Sequence, residues 1–323
     1  MSSTTATPGV GARGGLGVAL VVLSATLFIV NSGVSRIALR NGIAADELTV
    51  LRVTGTCVVL ALAAALWQRE ALRPPRGRDL VVVVSLGAVG VALLQWLYFV
   101  AIDRLTIGLA LLLEYQAPFL VALWAKFVQR SPVSARLWWG LGLAVTGLAM
   151  ATQVWAGASF DGIGVAAGCG AAVCFAAYFL LGEQGQRTMS SLRLMLWSFA
   201  VGAVLLNVVT PLWGIDAAYG SSVSLQGSLA HLSVPLWTAV AWIVVMGTLL
   251  PFGLGLVAMR FIPPTLVTAI AMLEPIGASA LGWAWYGESL GAVAITGCVV
   301  VVVGIMLAQS ARQSHPDDPV ALT

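Results

Sequence analysis

Leu80-VVVVSLGAVGVALLQWLYFVA-Ile102 runs for 23 residues without a charged side chain, bounded by Asp79 and Asp103. About 20 apolar residues in helical geometry cross the hydrocarbon core of a bilayer, so this stretch reads as a membrane-spanning helix. Working outward from it, further apolar runs occupy about 16–38, 49–67, 106–127, 137–154, 163–181, 192–212, 236–259, 265–286 and 289–307. Together they predict an all-α polytopic membrane protein with ten transmembrane helices. Composition agrees: of 323 residues, 59% are hydrophobic and 9% charged, with a mean hydropathy of +0.97. Soluble domains carry about a quarter charged residues, so a water-soluble fold is excluded.

The runs divide the chain into a polar tail (1–15), five helices (16–154), a connector (155–162), five more helices (163–308) and a second tail (309–323). The first run is too long for a signal-peptide core and lacks a cleavage site, so it is expected to be retained. If the N-terminus is cytoplasmic, Arg13, Arg69, Arg73, Arg76, Arg78, Lys126, Arg130, Arg136, Arg187, Arg193, Arg260 and Arg312 share one side, and Arg36, Arg40, Arg52 and Arg104 the other. That bias of twelve to four places both termini in the cytoplasm of a multi-pass protein of the inner or plasma membrane. The one long connector, 213–235, is then external and aqueous, with Leu225, Leu229 and Leu232 able to lay part of it on the interface as a short amphipathic helix. Fifteen arginines to one lysine point to GC-rich coding and hence to a bacterium.

Several chemistries are absent from the pattern. Cys57, Cys174 and Cys298 lie deep in apolar runs and Cys169 near the start of one, which predicts free thiols packed as small apolar groups. His231 and His315 form no cluster with metal-ligand spacing. No basic stretch interleaved with aromatics invites nucleic acid, no glycine loop has the context of a phosphate or dinucleotide cradle, and no nucleophile–base arrangement exists within a span. An enzyme, a cofactor and a metal are therefore not expected. Trp138, Trp139, Trp283 and Trp285 read as interfacial belt residues.

The second half repeats the first. Ala101 and Pro118 are 17 residues apart, as are Ala258 and Pro275, so an offset of 157 superposes the third and fourth runs on the eighth and ninth. Ala144-Val145-Thr146-Gly147 recurs as Ala294-Ile295-Thr296-Gly297 at an offset of 150. Five being odd, the second copy enters the membrane from the opposite side, giving two inverted five-helix repeats. Secondary transporters recurrently use this architecture, with the substrate site at the midplane between the copies.

The ten runs, the duplication, the prolines of the fourth and ninth, Leu273-Glu274-Pro275, and the Gly287-Glu288 that closes the ninth resemble the EamA branch of the drug/metabolite transporter superfamily over roughly residues 16–308. Leu113-Glu114-Tyr115-Gln116-Ala117-Pro118-Phe119-Leu120-Val121-Ala122-Leu123 is most similar to the fourth span of the threonine/homoserine exporter group. The copies differ: the first closes its fourth run on Lys126-Phe127-Val128-Gln129-Arg130 rather than on Gly-Glu, and the second has no acid matching Glu114.

Only two acids fall deep inside runs, Glu114 and Glu274, which the offset sets one helical turn apart on equivalent faces. Intramembrane acids are costly and usually face a polar interior. Small neighbours, Ala110 and Ala117 around Glu114 and Ala271, Gly277 and Ala278 around Glu274, leave either a close helix contact or a cavity. Either acid could bind an amino group or cation, or exchange a proton and couple export to the proton gradient. Alternatively, each hydrogen-bonds a neighbouring helix near a proline break. The resemblance sets Leu-Glu-Pro in members with different substrates, which favours a structural Glu274. Pro118 and Pro275 remove a backbone hydrogen bond in mid-span and act as hinges or as helix shape alone. Asn31, Gln95 and Gln116 are candidates for substrate contact or interhelical glue. Tyr178, which matches Asn31 when Phe28 is set against Phe175, could wall a cavity with Trp96, Tyr98, Tyr115 and Trp197, or be core. Arg52, at a place where the resemblance puts a frequent family arginine, either attracts an anion or pairs with Asp46 or Glu47.

The reading is a secondary-active exporter of a small metabolite, amino acid or drug-like amine, with a small-molecule substrate, protons as a coupling ion and the lipid bilayer as partners, and the oligomeric state open. Alternatives are a membrane scaffold or receptor without transport, or an intramembrane lipid-modifying enzyme.

Overall fold

The computed structural model describes residues 10–105, 107–155, 161–215, 220–287 and 291–313. The expectations for Glu288, Asp216, His315, the starts of the fourth and tenth runs at Thr106 and Ser289, and most of the two tails and of the 155–162 connector lie outside them. The helices are α1 (Val10–Arg40), α2 (Ala45–Trp67), α3 (Arg78–Ser85), α4 (Leu94–Arg104), α5 (Ile107–Glu114), α6 (Ala117–Phe127), α7 (Ala135–Ala151), α8 (Gly162–Gln186), α9 (Ser191–Val209), α10 (Leu236–Val244), α11 (Leu250–Ala258), α12 (Pro264–Ala271), α13 (Leu273–Tyr286) and α14 (Ala292–Gln313). Ser134, Asp161 and Ser190 cap α7, α8 and α9, each side chain accepting from a backbone N–H in the first turn. Gly287 ends α13 in the left-handed conformation, φ 69°, a place that glycine fills without a Cβ clash.

Several of these segments join end to end. α3 runs into α4 through a wider π turn, Leu86–Leu93, and α10 into α11 through another, Val245–Leu249. α5 and α6 are separated only at Tyr115 and Gln116, and α12 and α13 only at Met272. Among the described residues, eight helices so composed are long and apolar enough to cross a membrane, and Ala292–Ala308 is apolar but shorter. α7, at 17 residues, is equally short. Their outer surfaces are apolar: Val58 and Leu62 of α2, Val204 and Val208 of α9, and Val299 and Val303 of α14 are exposed, as a lipid-facing rim requires.

The irregularities repeat. At an offset of 157, Tyr115 falls on Met272, so the two interruptions coincide, and Leu86–Leu93 overlies Val245–Leu249. The cause is local for the interruptions: Pro118 and Pro275 lack an N–H and clash with the carbonyl four residues before, that of Glu114 and Ala271. Equivalent helices meet as pairs, α2 with α9 and α7 with α14, and the two proline-broken helices meet through α6 of one and α12 of the other. The first helix of each half crosses over: α1 packs on α10 through α13, and α8 on α4, α5 and α6.

Two expectations are corrected here. The described part of the 213–235 connector holds no amphipathic helix; Ser222–Ser224 (β1) pairs antiparallel with Ser233–Pro235 (β2). Val223 and Leu225 pack on Ile37, Ile43 and Ile243, a burial that satisfies their apolar side chains better than the interface would. Trp285 is not a belt residue: its indole Nε1 donates to the Leu225 carbonyl at 3.2 Å and its ring stacks on Tyr286. Trp139 and Trp283 are exposed.

Candidate functional site

A cavity of about 320 Å³ opens beside the interruptions of both proline-broken helices. α1 contributes Ser32, Gly33 and Arg36, α4 Tyr98, α5 Leu111, the α5–α6 break Tyr115, and α13 Glu274, Pro275, Ala278, Gly282 and Tyr286. It extends from Glu274 toward the ends of α1 and α13 under the β1–β2 hairpin, where Arg36 stands over the Tyr286 ring at 4.7 Å. Tyr286 donates to the Gly33 carbonyl at 2.8 Å, closing α13 onto α1.

Toward the other face the path is filled. Phe252 of α11 meets Phe28, Tyr178 and Phe199 edge-on, with ring centroids 5.3, 5.4 and 5.7 Å apart. Beyond them Gln186 binds three helices together: its amide donates to the Leu256 carbonyl, and its oxygen accepts from Arg260 at 2.9 Å and Ser191 at 2.8 Å. One side of the bundle is therefore open to a mostly apolar cavity that carries Glu274 and Arg36, while the opposite side is closed by aromatic rings.

Glu274 sits on the cavity wall and accepts a hydrogen bond from the Tyr115 hydroxyl at 2.9 Å. Glu114 lies on the last turn of α5, next to that wall and in the field of Glu274. Both acids are also in the field of Arg52, which reaches in from α2. This corrects one expectation. Among the described residues no ion pair joins Arg52 to Asp46 or Glu47; Asp46 instead accepts from Thr210 at 3.0 Å and Glu47 from the Ala44 N–H at 2.9 Å. The Arg52 Nε is buried without a hydrogen-bond partner among the described residues, an arrangement that leaves donor capacity at the centre of the bundle.

The remaining candidates separate. Pro275 lines the cavity, while Pro118 is buried at the start of α6. Gln116 donates to the Leu112 carbonyl of its own helix at 2.9 Å. Gln95 is half-buried on α4. Asn31 and Tyr178 are buried, away from the cavity wall, and the Asn31 Oδ1 and the Tyr178 hydroxyl have no hydrogen-bond partner among the described residues. They occupy equivalent places: Asn31 packs against Gly247 and Tyr178 against Gly90, two glycines that the 157 offset also matches. Each glycine lies in a π turn, a backbone form found often at functional sites. Tyr98 and Tyr115 wall the cavity; Trp96 instead faces an apolar groove of about 610 Å³ between α2, α4 and α9, and Trp197 donates to the Ala71 carbonyl at 3.0 Å. Sequence reading missed Arg36 and Tyr286, whose only signal was an arginine and a tyrosine at opposite ends of apolar runs.

The pattern of the EamA-like transporter family matches residues 15–153 and, again, 162–309. The chain is 27% identical over 268 residues to the threonine/homoserine exporter RhtA of Salmonella typhimurium, covering 82% of this chain and 81% of that one. It has the same identity and coverage with RhtA of Escherichia coli K12. An uncharacterized transporter of Archaeoglobus fulgidus is 25% identical over 212 residues, 65% of this chain and 70% of its own. A crystal structure superposes with a TM-score of 0.73 at 18% identity, over 94% of this chain and 99% of the other, and shows the shared fold.

Proposed function

This chain belongs to the EamA-like transporter family and is a membrane transporter; on that premise we propose that it exports small metabolites carrying an ammonium group, amino acids of the threonine and homoserine kind among them. Ten membrane helices in two inverted five-helix repeats, 16–154 and 163–308, alternate access to a central site, with both termini in the cytoplasm. The open cavity then faces outward, and the Phe252 cluster with Gln186 forms the closed cytoplasmic side.

The observation that carries the reading is Glu274 on the cavity wall, with Glu114 and Arg52 in its field. Opposite charges in a medium of low dielectric attract strongly, and an unpaired one is costly. Arg52 balances one carboxylate, so the second is neutral only when it holds a proton or the ammonium of a substrate. The two cannot occupy it together, so a substrate leaving outward is replaced by a proton moving inward. Glu114, Glu274, Gln95, Gln116, Asn31 and Tyr178 would shape this route, with Pro118 and Pro275 as its hinges. The RhtA proteins, similar over most of the chain, support the amino-acid class.

Uptake of labelled L-threonine into inside-out membrane vesicles tests this. The full chain should drive uptake that collapses with the proton gradient, and Glu274→Gln should abolish it at unchanged protein level. Uptake by Glu274→Gln at the rate of the unmutated chain would refute the site.

A further inference from the structure

The α5–α6 and α12–α13 pairs are joined, among the described residues, by one side-chain hydrogen bond, from the Tyr115 hydroxyl to Glu274 Oε2 at 2.9 Å. It bridges the two interruptions: Tyr115 is the first residue of the break after α5, and Glu274 stands two residues past the break at Met272. Backbone at these points has lost its regular helical hydrogen bonding to the prolines, so the segments on either side can swing. The Tyr115 ring is held, only 4% exposed and packed edge-on against Phe175 of α8 at 5.9 Å. Tyr115 and Glu274 both line the cavity.

We propose that Tyr115 is a positioning residue that transmits the occupancy of Glu274 to the fourth helix. This rests on Glu274 being the ammonium site. A hydroxyl offers one donor and an ammonium three, and hydrogen bonds between charged partners are stronger than those with one neutral partner. In this proposal the ammonium, the stronger donor, takes Oε2 in place of the Tyr115 hydroxyl, and the bond that ties the two broken helices opens only when substrate is present. On release the order reverses: the hydroxyl recaptures the oxygen and helps the ammonium leave. Binding is weakened by the competition and turnover is hastened by it.

The test uses the full chain in proteoliposomes with the twenty labelled L-amino acids, first together and then singly by counterflow. Tyr115→Phe keeps the ring and removes only the competing donor. For the transported amino acid, KM and kcat should both fall, each about tenfold, the size expected for one hydrogen bond to a charged group. Glu274→Asp, which retains the charge but withdraws it from the hydroxyl, should shift both in the same direction. A proportional loss of active protein with KM unchanged in both variants would overturn the proposal, since that is what a merely structural bond gives. If Glu274→Gln transports normally, or no amino acid is carried by the unmutated chain, the ammonium site itself is wrong and the proposal falls with it.

Discussion

Gly147 of α7 lies against the backbone nitrogen of Val301 in α14, and Gly297 of α14 lies against that of Ala151 in α7. At the offset of 150 each contact is the image of the other, so a pseudo-twofold axis passes between these two glycines. Antiparallel helices of the two halves touch here backbone to backbone, and Gly140 with Gly304 extends the contact. Small residues at such crossings are how helices associate in lipid, where no hydrophobic drive exists between them.

A Cβ at Gly147 would stand 2.6 Å from the Val301 nitrogen, which, being backbone, cannot turn aside. Gly147→Val and Gly297→Val should each separate α7 from α14 and destabilise the folded protein by about 1–3 kcal/mol, the usual cost of overpacking. Gly142, on the same helix with nothing within 4 Å, is the contrast: Gly142→Ala should be neutral or raise stability by up to about 1 kcal/mol through helix propensity. Thermal unfolding in detergent separates the two outcomes. Equal effects at Gly142 and Gly147 would dismiss the crossing as the cause.

Asn31 and Gly247 supply a second test of the same symmetry. A Cβ on Gly247 would fall on the Asn31 side-chain amide, so Gly247→Ala alone should destabilise the protein. Asn31→Ala alone should cost less, because its Oδ1 is already buried without a partner and removing an unsatisfied group recovers its desolvation. The double variant should be more stable than Gly247→Ala, with a coupling of about 0.5–3 kcal/mol between contacting residues. Additive effects in a double-mutant cycle would show that the two side chains do not meet.

The apolar runs, both proline interruptions and the repeat are legible in the sequence because they follow from local chemistry: run length, the missing N–H of Pro118 and Pro275, and a fixed offset. The exchange of α1 and α8 between the halves is not, since Gly17 against Ile262 and Gly168 against Leu113 are contacts between residues whose apolar neighbourhoods would suit many partners. Arg52 shows the same limit at the site. Its sequence neighbours Asp46 and Glu47 are plausible partners at short range, yet Thr210 and a helix N-terminus take them, and the arginine is left to acids on two distant helices. The β1–β2 hairpin was hidden for a different reason: Val223 and Val234 gain their burial from α1 and α10, not from periodicity within the loop.

Arg52 and Glu114 carry the last prediction. Removing one partner from a buried charged group leaves the other uncompensated, commonly at a cost of about 3–5 kcal/mol. Arg52→Gln should thus lower the yield of monodisperse protein and stop transport, because two carboxyl groups then share a site with no cation from α2. Arg52→Lys keeps the charge but replaces a rigid planar fork by a more strongly hydrated point charge, so partial transport with altered KM is expected. Glu114→Gln alone should leave insertion intact and abolish transport or its dependence on the proton gradient, since the amide keeps the shape without the exchangeable proton. Combined with Arg52→Gln it should recover folding, though not transport: one acid, Glu274, then remains, and a single neutral proton-bound state satisfies it. Size-exclusion profiles and vesicle uptake of the four variants read both quantities. Transport by Glu114→Gln at the normal rate with unchanged pH dependence would remove its charge from the mechanism, and failure of the double variant to fold better than Arg52→Gln would show that Arg52 serves another partner.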